Sequence, residues 1–434
     1  MSQTNIAIVL CDTLRRDVLD VYGGPVSTRQ LLEALGGRTV AYLGYSNSFW
    51  TIPSHFSLFT GLPVSKHGVH EAPGRNTVEA VMELGRQQYG GPTLAWELRK
   101  RGYETIGISA NPIVSYLSGL DRGFRHFVPY DFSYLFRLLG GSLLDLAERQ
   151  ELWEANAKYR GNLPRAFISE ARQRGLGWAL SLTGAYIRKN VVQHLVSDYI
   201  TDKGAAVAIS ILKSLHLAEP FFLFINLMEA HEPYYYRSKY DYRHLGCRRC
   251  LDREFRGYLR SARVCVRAVA EIARLLWERD LLRRTLFVFT SDHGQEFAEH
   301  GALVHLSGHL YRENVGIPII VKPPDGLKLL ATNCYVGLHE LYGLALAAAS
   351  GEREWLPSCG PGLAESYDGV APDPEAGKGL RRVAVFKGDR KVAYRLDGGD
   401  PVVEEVVVAG RPLDPRSTEA ERVAEELSGY LTAP

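Results

Sequence analysis

The sequence predicts an α/β fold in which a large, mostly parallel sheet lies between layers of helices. Three observations support this prediction. Apolar, β-branched runs alternate with amphipathic helical segments through most of the chain, polar residues follow directly after several of these runs, and short alternating strands occur towards the C-terminus. Strands joined by crossover helices run parallel, whereas short alternating strands favour an antiparallel sheet.

The length and composition set the expected domain organisation. A chain of 434 residues, 46% hydrophobic and 23% charged, is long enough for a large folded core. We predict a main α/β domain over residues 1–370, interrupted by a helical insertion at residues 129–203, and a small antiparallel subdomain with a terminal helix over residues 371–434. The insertion is amphipathic and rich in aromatic residues, so we expect it to pack on the core or in an oligomer. Contact with a hydrophobic substrate or a membrane is the less favoured alternative.

Charge and targeting signals restrict the partners and the compartment. The net charge is +2 and the arginines are dispersed, which gives no indication of nucleic-acid binding. The first apolar run, NIAIVLC, is too short to cross a membrane and precedes the polar segment DTLRRD. We therefore expect a cytoplasmic protein with neither a signal peptide nor a transmembrane segment.

The six cysteines do not have the density of a disulfide framework. Cys11, Cys265 and Cys334 lie in apolar segments, where we expect buried thiols. Cys247 and Cys250 form a CRRC element without a second such pair, so a disulfide or an exposed thiol pair is favoured over a metal site there.

The first strand is NIAIVLC, a continuous apolar run typical of a strand that is buried on both faces. It is followed directly by Asp12, and an acid at the carboxyl end of a parallel strand lies where the active sites of α/β sheets form. A helix in STRQLLEALGG and a second strand in RTVAYLGYSN come next.

The second strand leads into SNSFWTIPSHFSLFTG, with Thr51 at its centre. Pro53 lies in what would be the first turn of a helix, and the apolar residues that follow recur on one helical face. Thr51 is therefore predicted just ahead of a helix N-terminus, where free N–H groups and the helix dipole favour an alkoxide or a bound oxyanion. A simple helix cap is the alternative role for a threonine at this place.

Further strands again end in polar residues. A helix in PTLAWELRKRG and a strand in YETIGISAN precede the insertion, and the strand EPFFLFINLME after it ends beside Glu229 and His231. The helix LRSARVCVRAVAEIARLLWERDLL is followed by the strand RTLFVFTSDHG, which ends in Asp292 and His293. VGIPIIVKPP predicts one more strand, and HELYGLALAAASG one more helix.

Parallel strands would bring these polar groups to one edge of the sheet, namely Asp12, Thr51, Glu229, His231, Asp292 and His293. Two carboxylates, one imidazole and one hydroxyl oxygen make a four-ligand set for a single divalent ion. The mixture of oxygen and nitrogen favours Zn²⁺ or Mn²⁺ and remains compatible with Mg²⁺ or Ca²⁺.

The sequence resembles the sulfatase family of the alkaline phosphatase superfamily. The resemblance rests on IVLCDTLRRDVLDVYGG, SNSFWTIPSHFSLFTGLPVSKHGVH, MEAHEPYYY, TSDHGQEFAEHG and HLYRENVGIPIIV, which follow one another in the family's order between Asn5 and Pro324. It implies the fold predicted above, and it implies that Asp12, Asp292 and His293 hold the metal.

The same resemblance implies that Lys66, His231 and His305 contact the oxyanion or the leaving group. In the related phosphoethanolamine transferases a histidine follows the Asp-His pair by a dozen positions, and His305 stands at that offset from His293.

One element departs from the family pattern. Where sulfatases carry Cys or Ser in C/S-x-P-S-R, to be oxidised to formylglycine, this chain has Thr51, and His55 replaces the arginine. Threonine is not a formylglycine precursor, so the aldehyde hydrate of sulfatases is not expected. Threonine nucleophiles occur on one metal in the related phosphoethanolamine transferases and lipoteichoic acid synthases, and on two metals in nucleotide pyrophosphatase-phosphodiesterases.

These features predict a metal-dependent phosphodiesterase or phosphotransferase that works through a covalent phosphothreonine on Thr51. A bound ion would lower the pKa of the hydroxyl, and His305 or His231 would protonate the departing oxygen. We expect a small-molecule or lipid-linked phosphate ester as the substrate.

Three alternatives stay open. The first is a two-metal nucleotide phosphodiesterase whose second ion is bound by Glu229, His231 and His305. The second is a sulfuric ester hydrolase with Thr51 as the direct nucleophile. The third is a non-catalytic binding protein that has the same fold.

Overall fold

The computed structural model describes residues 4–129, 202–235, 246–374 and 376–431. The predicted helical insertion at residues 129–203 falls almost entirely outside the described residues. The strands of the main α/β domain are β1 (Asn5–Cys11), β2 (Val40–Tyr45), β3 (Glu104–Ser109), β4 (His126–Pro129), β5 (Phe221–Leu227), β6 (Thr285–Thr290), β7 (Glu296–Phe297), β8 (Leu303–Val304), β9 (Gly316–Lys322), β10 (Lys328–Leu329), β11 (Tyr335–Gly337) and β12 (Glu354–Trp355).

Within the described residues, eight of these strands form the main sheet in the order β11-β2-β9-β6-β1-β5-β3-β4. Strand β1 runs parallel to both neighbours, so that Ile8 is paired with Phe224 of β5 on one side and with Val288 of β6 on the other. Strand β9 runs antiparallel to β2 and β6, and the remaining pairs are parallel. The predicted mostly parallel sheet is therefore confirmed, and the carboxyl ends of β1, β3, β5 and β6 share one edge.

Helices lie on both faces of this sheet, as the sequence predicts. The helices of the described residues are α1 (Arg29–Leu35), α2 (Thr51–Thr60), α3 (Val64–His67), α4 (Val78–Gln88), α5 (Leu94–Lys100), α6 (Ala205–Ser214), α7 (Arg248–Glu278), α8 (Arg312–Val315), α9 (Glu340–Ala349) and α10 (Thr418–Ser428). None of the helices in the described ranges is both long and apolar enough to cross a bilayer.

The central strand β1 contributes to two cores because successive side chains of a strand point to opposite faces. Ile6, Ile8 and Leu10 pack in the core that contains residues of α2, α5 and α9. Ala7 and Val9 pack in the other core, with residues of α1, α6 and α7. All residues of β1 are buried, which explains why the strand reads as a continuous apolar run rather than an alternating one.

A second, antiparallel sheet forms the C-terminal part of the described chain. Its strands are β13 (Gly362–Ser366), β14 (Arg381–Lys387), β15 (Arg390–Leu396), β16 (Val402–Val408) and β17 (Arg411–Leu413), and α10 packs against it. Strand β13 precedes the predicted boundary at residue 371. The main-chain N–H of Glu365 donates to the carbonyl of Asn47 over 2.9 Å, so this sheet is attached beside the segment that leads to Thr51.

The described cysteines form three disulfides, Cys11–Cys265, Cys247–Cys250 and Cys334–Cys359. The disulfide alternative for the CRRC element agrees with this pairing. Cys11 and Cys265 are buried, as expected, and Cys334 is partly buried. They are not free thiols, however, because the fold brings each of them to a partner with Cα atoms 5.3–6.6 Å apart.

Candidate active site

Two acids and a histidine meet at the carboxyl edge of the main sheet. Asp12 follows β1 directly, and Asp292 and His293 lie just beyond β6, its parallel neighbour. The three side chains are fully buried, and each offers one ligand atom within 4.8 Å of those of the other two. The sequence-based expectation that these residues share one edge of the sheet agrees with this placement.

The hydrogen bonds of the two acids leave one oxygen of each without a partner. Oδ1 of Asp292 accepts from the main-chain N–H groups of Thr13 and His293 over 3.2 and 2.9 Å, and Oδ2 of Asp12 accepts from the amide of Asn111 over 2.7 Å. The other oxygens, Oδ1 of Asp12 and Oδ2 of Asp292, are buried and have no hydrogen-bond partner. Buried, unpaired carboxylate oxygens are costly unless a cation binds them.

His293 supplies a third unshared lone pair. Its Nδ1 donates to the main-chain carbonyl of Gly294 over 2.8 Å, which leaves Nε2 unprotonated in the neutral ring. Nε2 lies 3.7 Å from Oδ1 of Asp12 and 3.4 Å from Oδ2 of Asp292. Ligands about 2.0–2.2 Å from a tetrahedral zinc ion would lie about 3.3–3.6 Å from one another. The donor set therefore fits a divalent ion in its chemistry and its dimensions.

Thr51 completes this set. Its hydroxyl oxygen lies 3.3 Å from Nε2 of His293, and the residue is 2% exposed. Helix α2 begins at Thr51 itself, one residue earlier than the sequence predicts, after Trp50 in an extended conformation. The hydroxyl thus lies at the positive end of a ten-residue helix, which favours an anionic oxygen.

Both carboxylates have perturbed acidities. Burial, and next the neighbouring Asp292, raise the pKa of Asp12 to about 7. Burial raises the pKa of Asp292 to about 7 as well, although main-chain N–H groups of Thr13 and His293 stabilise its anion. Two adjacent buried carboxylates cannot both ionise cheaply without a positive charge between them.

His55 occupies the position of the family arginine and lies within α2, one turn after Thr51. Its Nδ1 donates to the main-chain carbonyl of Thr51 over 2.9 Å, and its Nε2 accepts from the amide of Asn226 over 3.4 Å. Both contacts suit a neutral ring, and burial lowers the pKa of His55 to about 3. This position therefore contributes no positive charge, although it lies 3.6 Å from Oδ2 of Asp292.

A second group of side chains lies beside the first. His231, Glu232 and His305 each offer a ligand atom within 4.8 Å of the others, and the ring of His305 lies 4.4 Å from that of His293 between centroids. Nδ1 of His231 donates to the main-chain carbonyl of Glu232 over 2.8 Å and lies 3.5 Å from its carboxylate.

The two histidines of this second group differ in acidity. Burial alone would lower the pKa of His231, but the carboxylates of Glu232 and Asp12 outweigh burial and raise it. His305 lies among other imidazoles, and burial together with His293 and His231 lowers its pKa. His231 is thus the ring that more readily holds a proton.

Glu229 does not join the histidines with which it was predicted to bind a second ion. The sequence places it with His231 and His305, but its Oε1 accepts from the main-chain N–H groups of Lys203 and Ala205 over 2.9 and 2.8 Å. The carboxylate therefore accepts hydrogen bonds from main-chain N–H groups at the N-terminus of α6. The structure brings Glu232, three residues later, to the two histidines instead.

Two further residues complete the comparison with the sequence. Lys66 is exposed on α3, and its contact with an oxyanion stays a prediction. Asn111, which the sequence analysis did not select, donates a hydrogen bond to Asp12, one of the predicted metal ligands. Its position two residues beyond β3, at the edge where other strands are followed by polar residues, is the signal that could have identified it.

Comparison with known proteins extends the similarity beyond single motifs. The family described as Sulfatase matches residues 4–349. Arylsulfatase K of Gallus gallus is 32% identical over 81 residues, which span 19% of this chain and 15% of that protein's length.

Solved structures show the same fold over nearly the whole chain. A 2-O GAG sulfatase superposes with a TM-score of 0.61 at 15% identity, covering 99% of this chain and 92% of that one. The phosphonate monoester hydrolase of Silicibacter pomeroyi superposes with a TM-score of 0.57 at 14% identity, covering 99% and 94%. Together with the donor set at the sheet edge, the family match over residues 4–349 shows that this chain belongs to the sulfatase family.

Proposed function

We propose that this sulfatase-family enzyme is a metal-dependent phosphodiesterase or phosphotransferase in which Thr51 forms a covalent phosphothreonine. The observation that supports this most directly is the position of the Thr51 hydroxyl, 3.3 Å from Nε2 of His293 and at the N-terminus of α2. A hydroxyl used as a helix cap would belong to the N-cap residue, but the N-cap of α2 is Trp50 and Thr51 is the first residue of the helix.

The ion would be held by the unpaired atoms of Asp12, Asp292 and His293, with Thr51 as the fourth ligand. When bound, such an ion lowers the pKa of the hydroxyl and neutralises charge on the non-bridging oxygens of the ester. One nitrogen among three oxygens favours Zn²⁺ or Mn²⁺ over Mg²⁺ and Ca²⁺.

The reaction then follows from the positions of the side chains. The Thr51 hydroxyl loses its proton to solvent, Oγ1 attacks phosphorus, and the bond to the leaving oxygen breaks as the new P–O bond forms. His231, whose ring lies next to the Glu232 carboxylate, gives its proton to the leaving oxygen. His305 and Lys66 contact the non-bridging oxygens. Water, or an acceptor alcohol where water is excluded, releases the phosphoryl group from Thr51.

The charge of the site favours a substrate with a single negative charge. Asp12 and Asp292 would balance a divalent ion, and the neutral His55 occupies the position of the family arginine. The proton of His231 goes to the leaving oxygen, so of the groups proposed above only Lys66 offsets charge on the non-bridging oxygens. Phosphodiesters are monoanions, whereas phosphate monoesters are dianions that need an additional positive charge. A small-molecule or lipid-linked diester therefore matches the site better than a monoester. Sulfate esters are monoanions too, and against them stands the absence of a formylglycine precursor at Thr51.

A side-by-side assay tests the reaction class. Rates with bis-p-nitrophenyl phosphate, p-nitrophenyl phosphate and p-nitrophenyl sulfate are measured on the same metal-loaded protein. We expect the diester to react fastest and the sulfate slowest. Dominant hydrolysis of the sulfate would overturn the proposal and favour a sulfuric ester hydrolase. Addition of acceptor alcohols, with product analysis, separates a transferase from a hydrolase.

The group formed by His231, Glu232 and His305 favours one alternative, a two-metal phosphodiesterase. In that enzyme the two histidines would hold a second ion instead of contacting the substrate directly. Elemental analysis of the purified protein distinguishes the two mechanisms, because the one-ion mechanism requires one metal per chain and the alternative requires two.

A further inference from the structure

The two oxygens of the Asp12 carboxylate have different surroundings. Oδ2 accepts from Nδ2 of Asn111 over 2.7 Å, whereas Oδ1 is buried without a hydrogen-bond partner and lies 3.7 Å from Nε2 of His293. The carboxylate is therefore held so that one particular oxygen is offered to the ion. The main chain of Asp12 is held as well, because its N–H donates to the carbonyl of Leu227 over 2.9 Å.

The Asn111 amide is itself held in one orientation. Its side-chain oxygen accepts from the N–H of Ile113 over 3.0 Å, so the NH₂ group must be the end that points to Asp12. Its own main-chain N–H donates to the hydroxyl of Ser109 over 3.2 Å, and the residue is 4% exposed. Because the amide has no freedom to turn, its donor is already in place before an ion binds.

We propose that Asn111 is a positioning residue that acts through Asp12. It fixes the carboxylate for binding through Oδ1 alone and keeps Oδ2 from turning towards the ion. The neutral amide does this without a charge that would compete with the cation for Asp12. This inference rests on the metal site in the proposed function, but it does not depend on whether the substrate is a phosphate or a sulfate ester.

Metal affinity is the direct test, and it needs no substrate. Asn111→Leu keeps the volume of the side chain but removes the donor. We expect its Kd for Zn²⁺, measured by competition with a chromophoric chelator, to be weaker on the order of 10- to 100-fold than that of the unaltered chain. Ser115→Ala is the matched control, because Ser115 is buried in the same loop and bonds only within it, to Pro112 and Leu117. Its Kd should stay within about twofold.

A double-mutant cycle separates positioning from a general structural effect. In an Asp12→Asn background, where the carboxylate is already lost, Asn111→Leu should cause no further loss of zinc affinity. Equal zinc affinity in Asn111→Leu and the unaltered chain would overturn the proposal, and so would a full additional loss in the Asp12→Asn background. A chain that binds zinc as expected but shows no phosphothreonine would refute the proposed function and leave the role of Asn111 intact.

Discussion

The hydroxyl oxygen of Thr51 lies 3.3 Å from Nε2 of His293, although 242 residues separate the two in sequence. The imidazole nitrogen carries no proton, because Nδ1 of the same ring donates to Gly294. The Thr51 hydroxyl therefore lies beside unshared lone pairs, those of His293 Nε2 and of the unpaired Asp12 and Asp292 oxygens. It does not belong to a triad in which a carboxylate orients a histidine as the general base. This arrangement suits a hydroxyl that is activated by a shared cation, and it makes Thr51 the first residue to alter.

We expect Thr51→Ala to lower kcat with bis-p-nitrophenyl phosphate by at least about 10³-fold, because no other hydroxyl replaces the nucleophile. Thr51→Ser keeps the hydroxyl and should retain substantial activity. Mass spectrometry of peptides after an acid quench should find a phosphate on residue 51 in the unaltered chain and none in Thr51→Ala. Undiminished turnover by Thr51→Ala would show that the nucleophile lies elsewhere.

Removal of the metal should reverse the pH dependence that Asp12 and Asp292 contribute to the stability of the folded chain. Without the ion, the pKa values of Asp12 and Asp292 rise from 3.8 to about 7 on folding, so between these values the folded chain binds more protons than the unfolded chain. The contribution of these two acids to the stability of the metal-free chain should therefore fall as the pH rises from about 4 to about 7. With the ion, both acids must ionise to bind it, and stability should rise over the same interval.

Thermal unfolding with and without a chelator measures this effect. The double substitution Asp12→Asn with Asp292→Asn removes both titrating groups and should abolish the difference between the two curves. The explanation fails if the unaltered chain shows the same pH slope in both conditions.

The role of His231 as the proton donor predicts a dependence on the leaving group. His231→Gln should lower the rate by about 10²–10⁴-fold for diesters with an alkyl alcohol as the leaving group, and far less for p-nitrophenol, which departs without a proton. Against the effect of burial, the Glu232 carboxylate raises the pKa of His231. The protonated ring is the active form in the proposed mechanism, so activity with alkyl esters should decline as the pH rises through that pKa. His305→Gln is the comparison, and a similar leaving-group dependence in that variant would reassign the acid.

Substitution of His55 should affect the stability of the fold rather than the reaction. The ring is fully buried, and it bonds both to the first turn of α2 and to Asn226. His55→Ala leaves a cavity and an unpaired buried amide, so we expect the free energy of unfolding to fall by about 2–4 kcal/mol. Chemical denaturation of the metal-loaded protein measures this, with the exposed Lys66→Ala as a control that should change stability little.

Much of the site could be predicted because it follows from strand ends. Asp12, Asp292 and His293 lie directly beyond buried apolar strands, and parallel pairing alone brings such residues together. Thr51 could be placed because Pro53 and the apolar periodicity mark the start of α2. These signals are local, and they needed no knowledge of which strands are neighbours.

The errors arise where a side chain chooses between partners that are distant in sequence. Glu229 ends a strand as Asp12 does, but its carboxylate turns back to the N–H groups of Lys203 and Ala205, 24–26 residues earlier. The pairing of Cys11 with Cys265 likewise spans 254 residues and cannot be read from spacing. The antiparallel direction of β9 also has no signature in VGIPIIVKPP, since a strand that is buried on both faces reads the same in either direction.

The adjacency of β1 and β6 also bears on how the protein is made. Asp12 leaves the ribosome before Asp292 and His293, the proposed metal ligands beyond β6, and 279 residues lie between Asp12 and Asp292. Contacts between such distant segments close late in folding because the intervening chain must first be ordered. A nascent or truncated chain that stops before residue 293 would lack at least one of the proposed ligands, so cation uptake would report that β1 and β6 have come together. The absorption spectrum of bound Co²⁺ would then report the yield of correctly refolded enzyme before any substrate is added.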